Sequence, residues 1–219
     1  MQQCILPLFY WGPVQYYTKL INRPKIWLEQ FETYPKQTFR NRCEIYGPNG
    51  KQALQVPVER GSFHKTLFCD LKIAYDIAWQ KNHFKSIEAA YRSSPFYEYY
   101  MDEVISIYRN KPKFLIDLNQ AVFEQSLDWL NLDLEWALTS DFQLNFDGDD
   151  YRNTMHPKAA KNQADSLFAQ ATYMQGFEQR HGFIPNLSIL DLIFNTGPDA
   201  LSLIKTSLNR EYESNGAKK

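Results

Sequence analysis

Residues 4–30 read CILPLFYWGPVQYYTKLINRPKIWLEQ, and the pattern of this stretch decides the fold class. Cys4 to Trp11 is a short apolar run closed by Gly12-Pro13, which predicts a buried strand and a turn. From Pro13 onward Val14, Tyr17, Leu20 and Ile21 recur at helical spacing, and Pro24 stands just beyond, where a helix stops. Lys25 to Gln30 alternates around Ile26 and Leu28, the period of a second strand. Strand, short helix, strand is a βαβ-like opening, and strands joined in that way run parallel.

Outward from this unit, Cys43 to Tyr46 and Ala53 to Glu59 predict a hairpin about Asn49-Gly50, since both turn residues tolerate positive φ. Pro57 has no backbone donor, so its strand belongs at a sheet edge. The middle of the chain takes the helical period. Ile73, Ile77, Phe84, Ile87 and Tyr91 predict a helix over Ile73 to Arg92. Ser94-Pro95 reads as an N-cap and first helical position for a helix from Phe96 to about Arg109. Leu115, Leu118, Val122 and Trp129 form one stripe within Lys113 to Leu130. A late strand follows at Trp136 to Thr139, then a long polar loop from Asn145 to Asn162. Ser166 to Gln179 and Leu187 to Phe194 read as helices, and Asp199 to Leu208 closes the fold. The expectation is one α/β domain over residues 1–210. Its N-terminal βαβ-like sheet with an edge hairpin packs against a largely helical second half, and residues 211–219 form a flexible charged tail.

Composition narrows the functional classes. The chain has 219 residues, 44% of them apolar and 16% aromatic, with a net charge of -1. That length buries a large core without disulfides or metals. A balanced charge gives no basic field for nucleic acid. No run of residues is long enough to span a bilayer, and the N-terminus lacks a signal peptide's basic and apolar regions. Three dispersed cysteines, Cys4, Cys43 and Cys69, form no CxxC pair, which points to reduced thiols and a cytoplasmic address. GxGxxG, Walker and GxSxG motifs are missing, and the four histidines form no HxH or HxxxH pair, so neither a cofactor nor a metal is expected.

Residues 34–50, YPKQTFRNRCEIYGPNG, gather Lys36, Gln37, Arg40, Asn41 and Arg42 ahead of the hairpin. On a strand, Arg40 and Arg42 project to one face and Asn41 to the other. Two guanidiniums on one face form a fork for a carboxylate or phosphate, with Lys36 and Gln37 adding a charge and an amide. The competing reading pairs both arginines with Glu29, Glu32 or Glu44. Trp79 and His83 share a helix face at i, i+4, and His83 is the candidate general base, the alternative being a histidine packed on Trp79. His156 and Lys158 sit in the polar loop, where they either cover a site or merely decorate the surface. Asp117 and Asn119 lie within a predicted helix and need partners if buried, while Asn186 or Ser188 reads as a helix cap.

Several segments together resemble the WbqC-like protein family. They are Tyr10-Trp11-Gly12-Pro13-Val14-Gln15-Tyr16-Tyr17 with Lys19-Leu20, the Tyr34 to Arg42 stretch, Gly47-Pro48-Asn49-Gly50 with Val56-Pro57-Val58, and Trp79 with Lys81 and His83. Further on come Ser94-Pro95-Phe96-Tyr97, Leu115-Ile116-Asp117-Leu118-Asn119, and Gly182 to Leu192. Another branch of the family carries a His-Gln pair where this chain has Ile5 and Leu6, so a mechanism needing that histidine does not operate here. Members are often encoded among genes for O-antigen and other surface polysaccharides. The resemblance therefore implies a group transferase that moves an aminoacyl group such as glycine, or an acyl group, onto a sugar. Arg40 and Arg42 would hold the anionic donor, Lys36, Gln37 and Asn41 would orient it, and His83 would shuttle the proton. Tyr17 and Trp79 would complete the substrate site. The rival is a non-catalytic protein that recognises an anionic sugar, nucleotide or partner through the same basic residues. The expected partners are a small anionic donor and a sugar acceptor, with a homo-oligomer left open.

Overall fold

The computed structural model describes residues 2–59 and 66–208. Two strands open the fold, β1 (Cys4–Pro7) and β2 (Ile26–Glu29), paired in parallel from Cys4 opposite Ile26 to Pro7 opposite Glu29. The helix between them, α1 (Val14–Thr18), has all five residues buried. β1 is buried along its whole length, which is why it reads as an unbroken apolar run and not as an alternating one.

The hairpin forms from β3 (Arg42–Gly47) and β4 (Gly50–Gln55), with Gly47 opposite Gly50. Its turn therefore falls on Pro48-Asn49, one residue ahead of the expected Asn49-Gly50. The fixed φ of proline suits the first central position of such a turn, and Gly50 alone takes positive φ, 93°. β4 ends at Gln55, so Pro57 lies past the ladder.

Three long helices bridge the hairpin to the next strand: α2 (Trp79–Tyr91), α3 (Tyr97–Arg109) and α4 (Leu115–Trp129). α2 starts six residues later than its periodicity predicts. Ile73 instead lies in extended chain, bridged to Val58, with its N–H on the Lys113 carbonyl at 3.0 Å. Ile77, assigned to the helix stripe, is exposed. Ser94 does not cap α3; its Oγ donates to Asn195 Oδ1 at 3.1 Å, and the capping residue is Phe96.

Then β5 (Trp136–Leu138) adds beside β2, and β6 (Asp149–Asp150) adds beside β1. All four strands run parallel in the order β5-β2-β1-β6. β6 lies within the stretch expected to be loop throughout. It has only two residues, both acidic, so no hydrophobic period announces it. It is fixed by Asp149 N–H on the Gln3 carbonyl at 3.1 Å and Tyr151 N–H on the Ile5 carbonyl at 2.9 Å. Gly148 precedes it at φ 151°, and a Cβ there would lie 2.4 Å from the Gln3 oxygen. Only glycine lets the chain come this close.

The helix expected over Ser166 to Gln179 is absent. Most of this segment is an extended strap, with only α5 (Glu178–His181) helical at its end. Tertiary bonds override local propensity here. Ala169 N–H donates to the Ser207 carbonyl at 3.0 Å. Gln175 makes a reciprocal pair with Ile184, its amide donating at 3.0 Å and accepting at 2.8 Å. The chain ends with α6 (Ile189–Thr196) and α7 (Ala200–Thr206). Ser188 is the cap of α6, accepting from Leu190 N–H as its sequence position suggests. Sheet and helices share one apolar core, in which Trp11 stacks on Trp129 at 5.3 Å and 6°. Among the described residues no helix is long and apolar enough to cross a membrane. The expected tail at 211–219 lies outside the described residues.

Candidate functional site

The strand order places a topological switch at β1: β2 lies on one side of it and β6 on the other. In open parallel sheets, ligands bind beyond the carboxyl ends of strands at such a point. On that edge lies a cavity of about 420 Å³ lined by Phe31, Glu32 and Pro35 after β2, Phe142 and Leu144 after β5, and Asp150 and Arg152 at the end of β6. Thr33 and Asn153 complete it. Its volume lies within the roughly 300–1,000 Å³ of small-molecule sites.

Buried ion pairs build its walls. Arg152 Nη1 donates to Glu29 Oε2 at 3.0 Å and to the Gln143 carbonyl at 2.7 Å. Its Nε and Nη2 reach the Asp150 carboxylate at 3.0 and 2.6 Å. Glu29, fully buried, also accepts from the Phe31 N–H at 2.8 Å and Thr139 Oγ at 3.1 Å. Arg40 grips Glu32 with Nε and Nη2, the second at 2.6 Å, and Nη2 also donates to the Arg152 carbonyl at 3.0 Å. The two carboxyls facing the cavity are driven apart in acidity. Burial raises Glu32 above its ordinary range against the attraction of Arg40. Burial also acts to raise Asp150, but hydrogen bonds from Arg152 outweigh it and hold that carboxyl low. Two carboxyls with opposed acidities mark candidate acid–base roles.

The arginine fork expected from the sequence does not form. Arg40 is not on a strand but in the turn before β3, 2% exposed and committed to Glu32. Arg42 opens β3 and lies 3.6 Å from Glu44, two residues on along the strand. Asn41 is buried at the root of the hairpin, its Nδ2 donating to the Val56 carbonyl at 3.0 Å. Lys36 and Gln37 are exposed in the preceding turn, with Gln37 at φ 61°. Tyr17 is buried too, its hydroxyl donating to Ser126 Oγ at 2.9 Å. None of these residues lines the cavity.

His83 is likewise no solvent-facing base. It packs edge-on against Trp79 at 5.1 Å and lies in a buried chain of hydrogen bonds whose direction can be assigned. The Trp11 indole can only donate, and it meets Tyr108 Oη at 3.3 Å. Tyr108 then donates to Tyr10 Oη at 2.5 Å, and Tyr10 donates to His83 Nδ1 at 2.9 Å. The Gln55 carbonyl can only accept, so His83 Nε2 carries the proton and donates to it at 3.2 Å. Burial lowers the histidine to about 4, so the ring is neutral near pH 7. Asn119 is structural as well, tying the Leu8 and Arg40 carbonyls at 2.9 and 2.7 Å.

His156 and Lys158 are not among the residues that line the cavity. His156 accepts from Lys158 N–H at 2.9 Å. Burial first, then the charges of Lys161, Lys158, Arg40 and Arg42, lower its pKa. The residues missed in the sequence are Glu32, Phe142, Asp150 and Arg152 as a set. They come from three separate segments, and only Gly148 hinted that the polar loop was constrained. Among the described residues no group of three or more His, Cys, Asp or Glu side chains is placed to hold a metal.

Comparison with known proteins agrees with the motif pattern. No solved structure matches the chain. It is similar to the "Uncharacterized protein Rv1507c" of Mycobacterium tuberculosis, with 27% identity over 191 residues, covering 76% of this chain and 81% of the relative. The model of the WbqC-like protein family matches residues 10–203, which include the turn before the hairpin, α2 and the whole of β6, and the chain belongs to that family.

Proposed function

We propose that the protein is a cytoplasmic group transferase that moves an aminoacyl or acyl group onto a sugar precursor of surface polysaccharide. One observation carries the reading. A cavity of small-molecule size lies beyond the carboxyl ends of the strands, with two carboxyls of opposed acidity on its wall. In this reaction the acceptor's hydroxyl or amine attacks the acyl carbon and forms the new C–O or C–N bond. Glu32 takes the displaced proton, since its raised pKa brings it toward the working range of a base. The leaving group departs with the electron pair of the broken bond. Lys158 and Lys161, whose charges act on His156, supply attraction for an anionic donor. This replaces the arginine fork as donor site and His83 as base. A binding protein with the same cavity would need no such proton acceptor.

The test is a strain lacking its own copy, complemented with the natural chain or with Asn153→Trp, which fills the cavity. Mass spectrometry of the surface polysaccharide should show an acyl or aminoacyl substituent that returns with the natural chain and not with the variant. An unchanged polysaccharide in the strain lacking the protein would refute the proposal.

A further inference from the structure

Resting on that reading, we infer that the cavity is the acceptor subsite and that it takes a polyhydroxylated or amino-bearing pyranose ring stacked on Phe142, while excluding anionic ligands. The argument is an account of donors and acceptors. Among the described residues that line the cavity Arg152 is the one cation, and Glu29 and Asp150 both neutralise it. Of its five N–H donors, Nε, both on Nη1 and one on Nη2 are already spent within the protein. Arg40 in turn pairs with Glu32, so Glu29, Glu32 and Asp150 outnumber Arg40 and Arg152 and the wall keeps an excess of negative charge. A phosphate or carboxylate entering there meets two carboxylates and a nearly exhausted guanidinium.

A sugar fits the same wall. Glu32 engages Arg40 through one bond to each oxygen, and a carboxylate accepts about four, so it retains acceptor capacity for a hydroxyl or amine. That donor would be the group acylated, since its proton is already aimed at the carboxylate that removes it. Phe142 is 48% exposed, although Arg152 holds its ring from one side, the guanidinium 5.0 Å from the centroid. An open aromatic ring held by a cation is a platform for the apolar C–H face of a pyranose, and Phe31 adds a second apolar surface.

The experiment is amide chemical-shift mapping of the full chain with methyl glucopyranoside, glucosamine and glucose 6-phosphate. Glucosamine and the glucoside should shift the amides of Thr33, Phe142, Asp150 and Asn153, while glucose 6-phosphate leaves them unchanged. Phe142→Ala should weaken glucosamine binding about fivefold, the loss expected of an aromatic contact worth about 1 kcal/mol, and Phe142→Tyr should restore it. Phe142 is surface-exposed, so the variant tests contact and not folding. Cavity amides that answer only glucose 6-phosphate, or an alanine variant that binds like the natural chain, overturn the inference while leaving the transferase reading intact. Silence toward all three probes also overturns it, and the polysaccharide assay then decides the transferase reading by itself.

Discussion

Lowering the pH from 7 to 5 should destabilise the protein through His83, and replacing that residue with glutamine should remove the effect. In the unfolded chain the imidazole returns to its ordinary value of 6.5, whereas burial holds it near 4 in the folded protein. The folded constant is depressed, so between these values the unfolded state binds a proton that the native state refuses. Stability is thus fully present above 6.5 and declines as the pH falls toward 4. Each pH unit across that window costs about 1.4 kcal/mol, giving about 2 kcal/mol by pH 5 and about 3 kcal/mol at the limit. The geometry explains why the native ring stays neutral: Nδ1 is occupied by the Tyr10 hydroxyl and Nε2 by the Gln55 carbonyl, and among the described residues no carboxylate meets either nitrogen. Urea unfolding at pH 7 and pH 5, on the natural chain and on His83→Gln, measures the difference directly. The variant loses ring packing and is less stable at every pH, but its stability should change with pH by about 2 kcal/mol less. Equal pH dependence in both chains would refute the argument, as would a His83 ring signal titrating near 6.5 in the NMR spectrum of the natural protein.

Arg40→Ala should cost about 3–5 kcal/mol in chemical denaturation, because it strands the buried Glu32 carboxyl, whereas the double change Arg40→Met with Glu32→Leu should recover most of that loss. Ser188→Ala should cost about 1–2 kcal/mol of unfolding free energy, since its hydroxyl both caps Leu190 N–H and donates to the Trp11 carbonyl at 2.9 Å; threonine should restore part of it. Gly148→Ala should loosen β6 by about 1–3 kcal/mol, read as faster amide exchange at Tyr151, whose N–H is held by Ile5.

Legibility in the sequence followed the strength of local patterning. The first 30 residues displayed strand, helix and strand because most buried positions there carry apolar side chains at the right period, with Gln15, Thr18, Lys19 and Glu29 as the buried polar exceptions. The stripe of α4 was legible for the same reason, and so was the cap of α6. Elements held by distant partners were not. Ile73 fits a helical stripe by spacing, yet its backbone bonds to Lys113, forty residues on, and the chain stays extended. Gln170 and Gln175 suit a helix, but Gln170 Oε1 accepts from Asn186 N–H and the Gln175 amide is spent on Ile184 and Asp191, partners that lie across the strap and not along it. β6 has two acidic residues and no apolar ones, so only its close approach to Gln3 reveals that it is a strand.

The candidate site failed to show in the sequence for an electrostatic reason. A run of arginines and lysines looks available until the partners are known, and the partners of these cations are remote or offset in register. Glu32 precedes Arg40 by eight residues, but Glu29 and Arg152 are separated by 123. Each pair costs desolvation that only close, multiply bonded geometry offsets, so a buried arginine with two carboxylate contacts has little attraction left for a ligand. What such pairs do supply is shape. Arg40 ties the turn after β2 to the carbonyl of Arg152, and Arg152 ties the end of β6 to Glu29 at the end of β2 and to the loop after β5. Three segments that are far apart in sequence are thereby held around one hollow, and Arg40, which read as a ligand-binding group, acts instead with Arg152 as a strut of its wall. The acceptor capacity on the lining then lies with Glu32 and Asp150, the carboxylates that these two arginines hold in place.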